Sequence, residues 1–116
     1  KKCMDSRKDA FQRDAFKFGY HIEAAWYLYG AGQITRREHR DFVFVAVESD
    51  PPHGVQVYRV DGTGDFVQYG LTQCNRAIKL YKECRDNGTW PAYKDEVQDL
   101  TLPGWVRQRD PSLIFE

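Results

Sequence analysis

The chain has 116 residues, 41% hydrophobic and 15% aromatic, which suffices for one small α/β domain with a packed core and is not the composition of a disordered chain. Its 17 basic and 17 acidic side chains cancel. That excludes a strongly basic nucleic-acid domain, but not a nucleic-acid site whose acidic metal ligands offset a basic rim.

Lys1–Ser6 is polar and reads as the exit from a strand. Ser6 is placed to cap a helix over Arg7–Phe18, with Asp9 near its start and Phe11, Ala15 and Phe18 as one apolar stripe. Gly19 breaks that helix, and a second, Tyr20 to about Gly30, follows and is ended by Gly30-Ala31-Gly32. Asp41–Ser49 is nearly continuous in apolar, β-favouring residues, which predicts a strand buried on both faces. A turn over Asp50–Gly54 joins it to a half-buried partner strand, Val55–Val60, as a hairpin.

After a turn over Asp61–Asp65, a long amphipathic helix is predicted over Asp65–Asp86, with Val67, Leu71, Cys74, Ile78 and Tyr81 as its stripe and Asn87-Gly88 as its stop. The tail, Thr89–Glu116, is expected to pack by its tryptophans rather than by regular structure. Two strands are too few to carry these helices, so further strands are expected, before Lys1. The missing initiator Met likewise marks the chain as an excised or truncated piece.

Three cysteines without a CxxC pair argue against zinc and against a disulfide framework. Cys74 on the helix stripe reads as a buried, reduced thiol, which fits a cytoplasmic protein. No run approaches the roughly 20 apolar residues of a membrane span, and no signal peptide is visible.

The most informative segment is Gly19-Tyr20-His21-Ile22-Glu23-Ala24-Ala25-Trp26-Tyr27. On a helix, Tyr20, Glu23 and Tyr27 share a face, and two phenols flanking a carboxylate suit phosphate binding or the orientation of a metal-bound water. The plainer alternative is a solvated amphipathic helix. His21 falls on the opposite side, with Ala25 and Leu28, and reads as a half-buried structural histidine, whereas His39 and His53 read as loop residues. Arg36, Arg37 and Arg40 form one basic cluster and Lys79, Lys82 and Arg85 another; each is either a phosphate contact or a solvated surface.

The segment resembles the Gly-Tyr-His-x-Gln-Ala-Ala-x-Tyr signature of exodeoxyribonuclease VIII (RecE-type) enzymes, a branch of the PD-(D/E)xK nucleases related to the RecB nuclease domain. In that family an Asp-x-Lys strand end precedes the helix. Lys1, 10 residues before Phe11 and 20 before His21, matches its lysine; Lys2 is the second candidate. Phe11-x-Arg13, the Phe42–Val47 strand, the long helix, Trp90-Pro91 and Leu102-Pro103-Gly104-Trp105 are similar to the family in the same order.

The resemblance implies a fragment of a restriction-endonuclease-like α/β core, a mixed central sheet flanked by helices, with residues 1–116 forming the C-terminal part of one nuclease domain. It implies Mg2+-dependent hydrolysis of linear double-stranded DNA from the 5′ end, leaving a 3′ single strand for an annealing recombination protein in phage-type systems, and a homo-oligomeric ring. Hard oxygen ligands favour magnesium, and the resemblance puts them upstream, so the fragment alone is expected to be inactive and no metal ligand is assigned within it.

Lys1, Glu23 and Tyr27 are then the catalytic candidates, and Arg13, Tyr20, Arg36 and Arg37 the DNA-binding ones. One position departs from the family: Glu23 stands where the family has Gln. An amide donates and accepts, whereas a carboxylate only accepts, so Glu23 either gains a metal contact, directly or through water, or weakens activity. The rival reading is a catalytically inactive DNA-binding or assembly module derived from a nuclease.

Overall fold

A computed structural model of the chain describes residues 1–109 and 112. The elements run β1 (Lys2–Cys3), α1 (Lys8–Lys17), α2 (Tyr20–Thr35), β2 (Asp41–Glu48), β3 (Val55–Asp61), α3 (Asp65–Asn87) and α4 (Gly104–Arg109). They build a three-stranded sheet in the order β1-β2-β3. β1 lies parallel to β2, with Lys2 beside Val47 and Cys3 beside Glu48. β2 and β3 pair antiparallel from Asp41↔Asp61 to Val47↔Val55, as the hairpin pattern predicts.

The sheet is mixed because its first strand arrives from far away in sequence. The short β1 joins β2 through α1 and α2, the kind of helical crossover that a parallel pair requires. The core lies between one sheet face and the helices: Cys3, Phe44 and Ala46 from the strands meet Phe11 of α1, Ala24 and Ala25 of α2 and Val67 of α3.

β2 is buried on one face only, which corrects the two-faced expectation. Phe44 and Ala46 are 4% and 0% exposed, while Val43, Val45 and Val47 are 51%, 46% and 40% exposed. Valine is retained on the open face because a β-branched side chain suits a pleated strand whether or not a second layer covers it. A continuous apolar run therefore did not report two-sided burial.

Helix boundaries also differ from expectation. Ser6 does not cap α1; Arg7 occupies the cap position without a side-chain hydrogen bond. The Ser6 N–H and hydroxyl both donate to Glu48 Oε1, each at 2.9 Å, so the serine ties the β1 exit to the end of β2 instead. α2 runs through Gly30-Ala31-Gly32 to Thr35 and stops where Arg36 turns left-handed (φ 53°). Two helical glycines cost about 2 kcal/mol together, less than a helix anchored by fully buried Ala24 and Ala25 can absorb. Phe18 lies beyond α1 and is largely exposed, whereas Phe11 and Ala15 are buried as expected.

α3 matches its predicted span within a residue. Its first half packs on α2 through Val67, Leu71 and Cys74, but Ile78 and Tyr81 are exposed, so the stripe is used only in part. Gly88, left-handed at φ 67°, closes the helix.

The tail does not pack by its tryptophans. Trp90 and Trp105 are 58% and 62% exposed; Trp90 leans on Tyr81 and Trp105 lies under the Arg109 guanidinium of α4. The end of the predicted tail, 110–111 and 113–116, lies outside the described residues. No described helix is long and apolar enough to cross a membrane.

Candidate functional site

Three elements meet at one end of the sheet. The Lys1 carbonyl accepts a hydrogen bond from Val47 N–H at 2.8 Å, which registers the start of β1 against β2. The Lys1 backbone nitrogen donates to the Val45 carbonyl at 2.5 Å. From this position the side chain reaches the first turn of α2, where Lys1 Nζ is hydrogen-bonded to Glu23 Oε2. The two side chains are 29% and 28% exposed, so the pair is partly shielded from water. Glu23 in a helical first turn is also favoured by the helix dipole.

Tyr20 forms the floor. Lys1 Nζ stands 4.5 Å from its ring centroid. The ring is held by Phe44 of β2 at 5.6 Å, Phe11 of α1 at 5.8 Å and Phe18 at 6.2 Å. Tyr27, two turns along α2, stacks against Phe42 of β2 at 6.3 Å. Both tyrosines therefore face the same strand, as their spacing with Glu23 predicts. Tyr27 remains more than half exposed. With Glu23, Phe18, Ile22 and Trp26 it borders a shallow hollow of about 380 Å³.

Two close approaches set this geometry. Gly19, at φ 70°, makes the left-handed turn that starts α2 immediately after α1. Gly70 of α3 lets that helix approach the α2 backbone at His21, because a Cβ there would lie 2.1 Å from the His21 carbonyl oxygen. His21 itself is buried, with Nε2 2.9 Å from Gln73 Oε1 and its ring stacked on Tyr69 at 5.2 Å. It is a packing residue between α2 and α3, more deeply buried than its spacing alone suggested. His39 and His53 lie in connections, beside Thr35 Oγ1 and the Glu48 carbonyl.

The basic candidates do not gather at Lys1. Arg36 and Arg37 are exposed at the far end of α2, 13 and 14 residues from Glu23, a rise of about 20 Å. Arg13 is exposed on α1 and lines a hollow of about 320 Å³ with Asp5, Arg7, Lys8 and Asp9. Lys2 is exposed on β1 and does not share the Lys1–Glu23 contact. On α3, Lys79 and Lys82 are exposed and Arg85 pairs with Asp86.

Glu48, which sequence reasoning passed over, is the hub of the adjoining turns. It accepts from Ser6 N–H, Ser6 Oγ and, at 3.3 Å, Gly54 N–H. The backbone and hydroxyl of Ser6 hold its carboxyl below the usual glutamate range. Beside it, the Arg7 guanidinium and backbone N–H lower Asp5 to about 2. Burial, with Glu48 next in effect, raises the Cys3 thiol. The only advance signal for Glu48 was a charged residue ending an apolar strand.

All three cysteines are buried free thiols, including Cys74 as its stripe position predicts. Among the described residues, no group of three or more His, Cys, Asp or Glu side chains is arranged to hold a metal ion. The chemistry offered at this end of the sheet is that of an oriented cation: a lysine ammonium held between a carboxylate and an aromatic face.

Comparison with known proteins gives one family. The family model described as a PDDEXK-like domain of unknown function (DUF3799) matches residues 1–102. No curated protein matches the chain. A mixed sheet flanked by helices fits a fragment of such a nuclease core, and nucleases of this kind generally use divalent metals.

Proposed function

Because the chain belongs to the PDDEXK-like DUF3799 family, we propose that it is the lysine-bearing, C-terminal part of a RecE-type nuclease domain. Its substrate is linear double-stranded DNA, degraded from the 5′ end to leave a 3′ strand for an annealing recombination protein. The observation that carries this reading is the convergence of Lys1 and Glu23, 22 residues apart in sequence, in a hydrogen-bonded pair at the sheet end. By the resemblance these two are the catalytic lysine and the residue at the family's glutamine position on the following helix.

The chemistry assigned to these residues is electrostatic. A fixed ammonium stabilises charge that develops on a phosphate oxygen, without reorganising at the moment of reaction. Glu23 holds that ammonium and blocks its withdrawal. Tyr27, exposed one turn further along the same hollow, presents a phenol to a phosphate. Arg13, Arg36 and Arg37 are the proposed DNA contacts, with the two distal arginines reaching backbone well away from the cut. Magnesium belongs to this reading through the family alone, with its ligands on polypeptide preceding Lys1. A ring of several copies around the DNA is part of the same proposal.

The test is digestion of linear duplex DNA by the protein extended upstream of Lys1, in magnesium, with one end type blocked at a time. Expected are EDTA-sensitive loss of 5′ nucleotides and a fall of roughly 100-fold in kcat for Lys1→Ala at nearly constant DNA affinity. Robust EDTA-sensitive digestion by the 116-residue chain alone would place the essential acids within it and overturn the upstream assignment. DNA binding without any hydrolysis by the extended protein would make the chain a non-catalytic DNA-binding module.

A further inference from the structure

The hydrogen bond to Glu23 does not by itself explain what keeps the Lys1 ammonium in one place. A lysine side chain has four rotatable bonds, and an ion pair with one carboxylate defines a distance far better than a direction. The Lys1–Glu23 pair is more than a quarter exposed on both sides, so water competes for the ammonium. A second, directional partner is needed, and one is present: the face of Tyr20, 4.5 Å below Nζ.

We propose that Tyr20 is the positioning residue of Lys1, acting through its ring face and not through its hydroxyl. A cation is drawn to the normal of an aromatic ring, which confines it laterally in a way a carboxylate does not. The ring can serve as a platform because it cannot itself move. Phe44 stacks on it at 27°, Phe11 tilts against it at 45°, and both of those phenylalanines are 4% exposed. Phe18 closes a third side. Among the described residues none hydrogen-bonds the Tyr20 hydroxyl, whereas its ring has three aromatic neighbours.

The elements explain the register. Gly19 turns left-handed and delivers Tyr20 as the first residue of α2, with its ring beneath the side chain of Lys1, the residue before β1. Glu23, three residues later, rises on the same face. The ammonium thus sits in a two-walled seat, with charge on one wall and π-density on the floor. The role replaces a phenol-to-phosphate contact for Tyr20 with a ring-to-lysine contact. Its catalytic consequence rests on the nuclease reading; the seat itself does not.

The test reads the seat directly by NMR on the 116-residue chain. Side-chain methylene protons of Lys1 held over an aromatic face are shifted upfield by the ring current. The shift is expected in wild type and in Tyr20→Phe, and is expected to vanish in Tyr20→Leu. In Glu23→Ala it should persist in reduced form, since the ring still holds the cation. Absence of the shift in wild type, or its loss in Tyr20→Phe, overturns the proposal even if Tyr20→Leu does not fold. Its survival in Tyr20→Leu does the same, as does its complete loss in Glu23→Ala.

In the upstream-extended protein, Tyr20→Leu should lower kcat about tenfold with KM for DNA unchanged, and Tyr20→Phe should restore it. Equal activity of Tyr20→Leu and wild type in an enzyme that needs Lys1 removes the catalytic role. A normal ring-current pattern in a protein that never degrades DNA leaves the seat in place and removes the nuclease reading.

Discussion

Gly70→Ala separates local propensity from tertiary packing. Gly70 lies inside α3, where an alanine would improve helix propensity by about 0.8–1.0 kcal/mol. The space for that methyl group is already taken. A Cβ at Gly70 would stand 2.1 Å from the His21 carbonyl oxygen, 2.7 Å from its carbonyl carbon and 2.9 Å from Ala25 Cβ. Reaching even a tight 3.0 Å contact requires α2 and α3 to part by about 1 Å. Ala24 and Ala25 are 0% exposed, so no flexible side chain can yield in their place.

Overpacking of this kind costs about 1–3 kcal/mol, and here backbone is what must move, which favours the upper half of that range. The net expectation is a loss of about 1–2 kcal/mol, or about 4–8 °C in Tm for a domain of this size. Gly30→Ala supplies the control. It also sits inside a helix, but a Cβ there meets nothing within 4 Å, so it should stabilise by about 0.5–1 kcal/mol. Urea and thermal unfolding by circular dichroism measure both. A Gly70→Ala protein as stable as wild type, or more so, refutes the close-approach argument.

Three further outcomes follow from the same structure. Phe44→Ala should destabilise by about 3–5 kcal/mol, whereas Val57→Ala on the open face, 62% exposed, should cost under about 1 kcal/mol; equal losses in denaturant titrations would mean that the sheet is covered on both sides. Glu23→Gln retains an acceptor oxygen for Lys1 and should change unfolding free energy by less than about 1 kcal/mol, as expected for a partly exposed pair; a loss above about 2 kcal/mol would show the pair to be a folding element.

Glu48 is more acidic folded than unfolded, so its contribution is present above the ordinary glutamate pKa of 4.5 and is lost as pH falls through the lower folded value. The Tm difference between wild type and Glu48→Gln should therefore be largest near neutral pH and shrink below about pH 4.5. A difference independent of pH would remove the charge from the explanation. Asp5, at about 2 against an ordinary 3.8, titrates in the same sense over a lower window, so Asp5→Asn is the appropriate background for that comparison.

Much of the architecture was legible in order and type. The two helices, the hairpin and the long helix follow from local signals: the Gly19 break, the alternation from Val55 to Val60, and the Asn87-Gly88 stop. These are short-range effects, decided by backbone sterics and by one side chain's preference for a face, so they can be read along the chain. The grouping of Tyr20, Glu23 and Tyr27 was legible for the same reason, since helical periodicity puts them on one side before any tertiary contact forms.

What tertiary structure alone decided is everything that depends on the other wall of a contact. Ser6 has the right chemistry for a helix cap, but its N–H and hydroxyl are tied to Glu48, 42 residues away, and the cap position falls on Arg7 instead. β2 is apolar on both faces, with Phe44 and Ala46 on one and three valines on the other, and only the placement of the helices left the valine face open. Gly70 is an ordinary helical glycine until His21 is seen against it. Lys1 and Tyr20 carry no local signal for each other; their meeting required β1 to pair in register with β2 and α2 to begin beneath it. Local sequence sets what each residue prefers, but packing chooses among those preferences, because only one neighbour can occupy a given space or accept a given proton.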